Sequence, residues 1–94
     1  MIDESGGDAW IVRRDGLIES GLGDEMVGLH VDSGLFFGFN ATALRVWQLI
    51  EQPRRLSALC AALGNEYAVD PVTCEADVRR ILADMESNGL VTLS

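Results

Sequence analysis

The stretch from Met26 to Ile50 constrains this chain most, because it reads as a β-hairpin running without a linker into a capped helix. Met26-Val27-Gly28-Leu29-His30-Val31 and Leu35-Phe36-Phe37-Gly38-Phe39 are β-prone runs separated by Asp32-Ser33-Gly34, a three-residue loop ending in glycine. That loop length pairs Val31 with Leu35, Leu29 with Phe37 and Val27 with Phe39, which puts six apolar side chains on one face. The other face receives His30 opposite Phe36 and Gly28 opposite Gly38. Asn40 stands where an N-cap belongs, ahead of Ala41-Thr42-Ala43-Leu44-Arg45-Val46-Trp47. A small hairpin whose last strand feeds a helix leaves a sheet edge open to pairing with another chain.

The flanking segments complete one domain. Trp10-Ile11-Val12-Arg13 is a first strand; Arg14 to Glu25 loops back to the hairpin, with Leu17-Ile18-Glu19 able to pair locally. The first helix runs from about Ala41 to Glu51, burying Leu44, Trp47 and Ile50, and Pro53 ends it. A second opens at Ser57, carries Leu56, Leu59, Cys60 and Leu63 on one face, and stops at Gly64-Asn65. In the third, Asp70-Pro71 supplies an N-cap and a first-position proline, and Cys74, Val78, Ile81, Leu82 and Met85 form the apolar stripe. Asn88-Gly89-Leu90 closes it in a Schellman motif, and Val91-Thr92-Leu93 is a short extended end. The expected fold is α+β and winged-helix-like, a three-stranded antiparallel sheet followed by three helices. Residues 1–9 are expected to be a disordered acidic tail and residues 10–94 a single domain.

Composition removes several functions. Fifteen acidic residues oppose seven arginines and no lysine, so the net charge of −8 disfavours nucleic acid and anionic membrane as partners. No apolar run approaches a membrane span and no secretory signal is visible, which points to the cytoplasm. Cys60 and Cys74 sit at apolar helix positions and are expected as buried free thiols. His30 is the only histidine, so neither a metal cluster nor a nucleophile–histidine arrangement can be assembled. Glu75, Asp77, Asp84 and Glu86 form a solvated helix face rather than paired catalytic carboxylates. The chain is expected to be no enzyme and to need no cofactor. A DNA-binding winged-helix regulator is the reading from another class, and the acidic third helix weighs against it.

Several blocks resemble the PqqD-like family of precursor-peptide recognition elements, which serve pathways that modify ribosomally made peptides. They are Asp32 to Thr42, Val46-Trp47-Gln48-Leu49-Ile50, Tyr67-Ala68-Val69-Asp70, and Ala76 to Leu82 leading to Asn88-Gly89-Leu90-Val91. The resemblance spans roughly Met26 to Leu93; Phe39 departs from the usual leucine, and Trp10 to Glu25 matches poorly. It implies a non-catalytic adaptor that takes the leader region of a precursor peptide as an added strand beside Leu35–Phe39. The groove wall would be the helix from Pro71 to Asn88, and a processing enzyme would receive the peptide. Leu35-Phe36-Phe37-Gly38 is most similar to the free-standing elements of lasso-peptide pathways, which implies a leader peptidase as the enzyme served. A radical-SAM enzyme, as in pyrroloquinoline quinone biosynthesis, is the alternative. The implied peptide-binding residues are Leu35, Phe36, Phe37, Gly38, Phe39, Asp77, Arg80, Ile81 and Asp84. Four to six backbone hydrogen bonds are expected along that edge, with the protein a monomer or weak dimer.

Overall fold

Alternating extended runs and capped apolar stripes become six strands and three helices in a computed structural model that describes residues 8–22 and 25–94. In chain order they are β1 (Trp10–Arg13), β2 (Leu17–Leu22), β3 (Glu25–His30), β4 (Leu35–Phe39), α1 (Ala41–Leu49), β5 (Arg54–Arg55), α2 (Leu56–Tyr67), α3 (Pro71–Ser87) and β6 (Val91–Leu93). Two antiparallel sheets result, ordered β2-β3-β4 and β5-β1-β6. The α+β expectation holds, and the three-stranded sheet ahead of the helices is β2-β3-β4. Its first strand is the segment expected to loop, whereas Trp10–Arg13 joins the other sheet with the C-terminal strand. Glu19, Ser20 and Gly21 hide β2 in the sequence; its six pairs with β3 supply what its composition does not.

The hairpin register differs by one residue from the expected one. Met26 pairs with Phe39, Gly28 with Phe37, Leu29 with Phe36 and His30 with Leu35. The loop therefore has four residues, Val31 to Gly34, and closes through Gly34 at φ 71°, where its N–H donates to the His30 carbonyl at 2.8 Å. Phe37 and Phe39 still face inward, but opposite Gly28 and Met26; Val27 and Val31, expected on the same face as these rings, are half-exposed. Two contacts account for the shift. Phe39 packs on Trp47 at 5.7 Å between ring centroids. The Leu17 side chain lies over Gly28, where an added Cβ would fall 2.7 Å from a Leu17 methyl carbon. Packing against β2 and α1 thus outweighed the gain from gathering valines on one face.

The helix ends are fixed as their caps predict. Asn40 accepts from the Ala43 N–H at 2.9 Å, and Asp70 accepts from the Thr73 N–H at 3.1 Å. At the end of α3, Leu90 N–H donates to the Met85 carbonyl at 2.9 Å and Gly89 N–H to the Glu86 carbonyl at 3.0 Å, with Gly89 at φ 77°. This is the expected Schellman pairing. α2 does not stop at Gly64-Asn65 but continues to Tyr67 and ends on Ala68 at φ 52°. Its last turn is held by Glu66, whose carboxylate takes a bidentate pair from Arg45 of α1 at 2.8 and 2.7 Å. A tertiary ion pair extends the helix beyond the glycine.

The core joins both sheets to the helices through Ile11, Met26, Phe39, Val46, Trp47, Ile50, Leu59, Val78, Leu82 and Val91. Cys60 and Cys74 are free thiols as expected, Cys74 buried and Cys60 half-buried; burial and the neighbouring Cys74 push the Cys60 thiol up. Residues 1–7 of the expected acidic tail lie outside the described residues. Asp8 and Ala9, its last two, are held in the fold: the Asp8 carboxylate accepts from the Ser57 N–H and hydroxyl at 2.8 Å each, and the Ala9 carbonyl accepts from Leu56 N–H at 2.8 Å. Together they cap α2, whose flanking Arg55 provides no side-chain cap.

Candidate functional site

β4 is the outer strand of its sheet, and alternation along β3 fixes which of its backbone groups remain free. Val31 N–H donates to the Gly16 carbonyl, so the odd-numbered residues of β3 bond toward β2. Met26, Gly28 and His30 then bond toward β4 and engage Phe39, Phe37 and Leu35. The N–H and C=O groups of Phe36 and Gly38 are left pointing at the open edge. They offer four backbone hydrogen bonds, the lower bound of the four to six expected.

Facing this edge lies α3. Between them is a groove of about 270 Å³ lined by Phe37, Gly38, Phe39, Asn40 and Ala43 on one side and Arg80, Ile81, Asp84, Met85, Asn88 and Leu90 on the other. Helical spacing organises the α3 wall into two stripes. Ile81 and Met85, four apart, form the apolar inner stripe; Arg80, Asp84 and Asn88, also four apart, form the polar rim. Arg80 is held along the helix by Asp77 at 3.1 Å, and Asn88 Nδ2 donates to the Asp84 carbonyl at 2.8 Å. Asn40 is engaged as the α1 cap, so it closes one end of the groove with a fixed side chain.

Of the nine residues named from sequence, Phe37, Gly38, Phe39, Arg80, Ile81 and Asp84 meet in this groove. Leu35 is half-exposed at the start of the edge strand, while Phe36 points to the opposite, solvent face and is 71% exposed. Asp77 does not line the groove and reaches it only through Arg80. Sequence reasoning overlooked Asn40, Ala43, Met85, Asn88 and Leu90. Extending the α3 stripes by one turn, from Ile81 to Met85 and from Asp84 to Asn88, would have found two of them.

No polar or charged residue among those described is buried, and no group of three or more His, Cys, Asp or Glu among them could hold a metal ion. Among the described residues no helix is long and apolar enough to cross a membrane. An unpaired strand edge beside a half-apolar, polar-rimmed groove is a shape that accepts an extended polypeptide.

No curated protein matches the chain. Among solved structures it is similar to one described as TbiB1 in complex with the TbiA(beta) leader peptide, at 32% identity and a TM-score of 0.78, covering 85% of this chain and 93% of that one. Residues 25–91 match the family described as coenzyme PQQ synthesis protein D. That span contains the edge strand, all three helices and every residue lining the groove, and the chain belongs to the PqqD family.

Proposed function

We propose that this protein is a non-catalytic adaptor that binds the leader region of a ribosomally made precursor peptide and presents it to a processing enzyme. The leader adds as a strand to β4 and lies in the groove against α3. The observation that carries this reading is the free edge at Phe36 and Gly38 opening onto that groove, in a chain 32% identical to a protein solved with a leader peptide. Four backbone hydrogen bonds at about 1 kcal/mol each hold the peptide without reading its sequence. Selectivity comes from two or three side chains entering the groove beside Ile81 and Met85, at about 1.5–3 kcal/mol apiece.

The similarity of Leu35-Phe36-Phe37-Gly38 to elements of lasso-peptide pathways supports a leader peptidase as the enzyme served, ahead of a radical-SAM enzyme. A cytoplasmic setting follows from the same reading. DNA binding is disfavoured by α3 itself, where Arg79 and Arg80 are ion-paired to Glu75 and Asp77 at 2.8 and 3.1 Å.

Hydrogen exchange tests the strand addition. On adding a cognate leader peptide, the Phe36 and Gly38 amides gain protection. Those of Leu35, Phe37 and Phe39, already turned toward β3, change little. Protection gained on α2 instead would refute the assignment.

A further inference from the structure

Two glycines sit in neighbouring strands for different reasons. Gly28 faces inward, and a Cβ there would fall 2.7 Å from Leu17, so packing requires it. Gly38 faces outward in ordinary extended backbone, and a Cβ there would meet nothing within 4 Å. Neither strain nor crowding asks for glycine at Gly38, and glycine in a strand interior weakens the strand. What glycine creates there is a bare floor at the open edge.

The walls of that floor are apolar. Gly38 pairs with Val27, which is 50% exposed, and Phe36 stands two residues away on the same face. The adjacent cross-strand row is Ile18, Leu29 and Phe36, and the Ile18 side is also exposed. Gly38 is one of the two residues whose N–H and C=O face an incoming strand. A residue bonded to it must project onto the solvent face, beside this floor and away from the α3 groove.

We propose that the floor over Gly38, walled by Val27 and Phe36, is a second specificity subsite that receives one large apolar, preferably aromatic, side chain of the bound strand. The subsite rests on the strand-addition reading and adds a face to it: the peptide is read through the groove by alternate residues and on the outer face by the residue between them. A ring lying across a glycine covers exposed backbone and apolar neighbours at once, the arrangement that compensates glycines at sheet edges.

The test uses the full chain and a displayed library of randomised 12-residue linear peptides, selected in parallel against the wild type, Gly38→Val and Gly38→Ala. Both variants fit the open space and are expected to melt no lower than the wild type. Wild-type selection is expected to enrich an aromatic or large aliphatic residue at one position between two apolar residues. Gly38→Val selection loses that central preference and keeps the flanking pair. A peptide selected on the wild type then binds Gly38→Val at least tenfold more weakly, with Gly38→Ala intermediate. Replacing its central residue by alanine costs the wild type a similar factor and Gly38→Val little. The same central preference in all three selections, or additive losses in that cycle, overturns the subsite while leaving strand addition intact. Failure of every selection to enrich extended apolar peptides overturns both.

Discussion

The two sheets are each three-stranded and antiparallel, yet they do opposite work. In β5-β1-β6 the central strand β1 ties a mid-chain strand to the C-terminal one: Ile11 pairs with Arg54 on one side and Leu93 on the other, and Trp10 exchanges backbone bonds with Ser94 at 2.8 and 3.0 Å. Its side chains reach out to finish helices. Arg13 donates to the Trp47 carbonyl and stacks 4.1 Å from the Trp47 ring centroid, and Arg54 donates to the Leu49 carbonyl at 2.7 Å. Two cations thus satisfy the last-turn carbonyls of α1, where the helix dipole is negative. β2-β3-β4 by contrast keeps an unpaired edge and exposed apolar side chains at Ile18, Val27, Leu35 and Phe36. One sheet uses its polar groups to close the molecule; the other leaves those of its outer strand unpaired. The edge of β4 stays open while β1 and β6 pair with each other in the other sheet.

The division of labour makes stability and binding separable by substitution. Trp47→Ala, in the core between the sheets, is expected to cost about 3–5 kcal/mol in denaturant titration. A loss below about 1 kcal/mol would mean the ring, 2% exposed beside Phe39, is not the keystone its contacts suggest.

Arg13→Ala removes both the carbonyl bonds and the stacking, with an expected loss of about 1–2 kcal/mol by the same measurement. Peptide affinity of the folded variant should be unchanged. An affinity loss without destabilisation would dissolve the distinction between the sheets.

Arg80→Ala inverts the pattern: stability moves by less than about 0.5 kcal/mol, while leader affinity falls by about 1 kcal/mol in a labelled-peptide titration. Asp77→Ala, outside the groove, should have a smaller effect through loss of the contact that orients Arg80. Equal effects of the two would move the groove to the other flank of α3.

The smallest expected effect concerns Asp8. Hydrogen bonds from the Ser57 N–H and hydroxyl hold its carboxyl below the usual value, with Arg55 adding to the shift. A lowered folded-state pKa gives stability that is present above the unfolded pKa, near 4, and is lost as pH falls through the folded one. Asp8→Asn should therefore flatten the decline in melting temperature below about pH 4, and an unaltered acid limb would show that α2 does not depend on this cap.

Much of this was legible because it is local. Asn40, Asp70-Pro71 and Gly89 mark helix ends through bonds spanning three to five residues, and each forms as its residue type demands. The apolar spacing along α3 likewise specified the face that carries Ile81. What the sequence could not determine were the pairings between distant segments. The hairpin register depended on Leu17 lying over Gly28 and Phe39 meeting Trp47, the end of α2 on an ion pair from Arg45, and its start on Asp8. Apolar patterning names a face but is satisfied nearly as well by a strand shifted one residue. Only packing against neighbours far along the chain decides between the two, and that same decision left Phe36 and Gly38 as the groups that face the open edge.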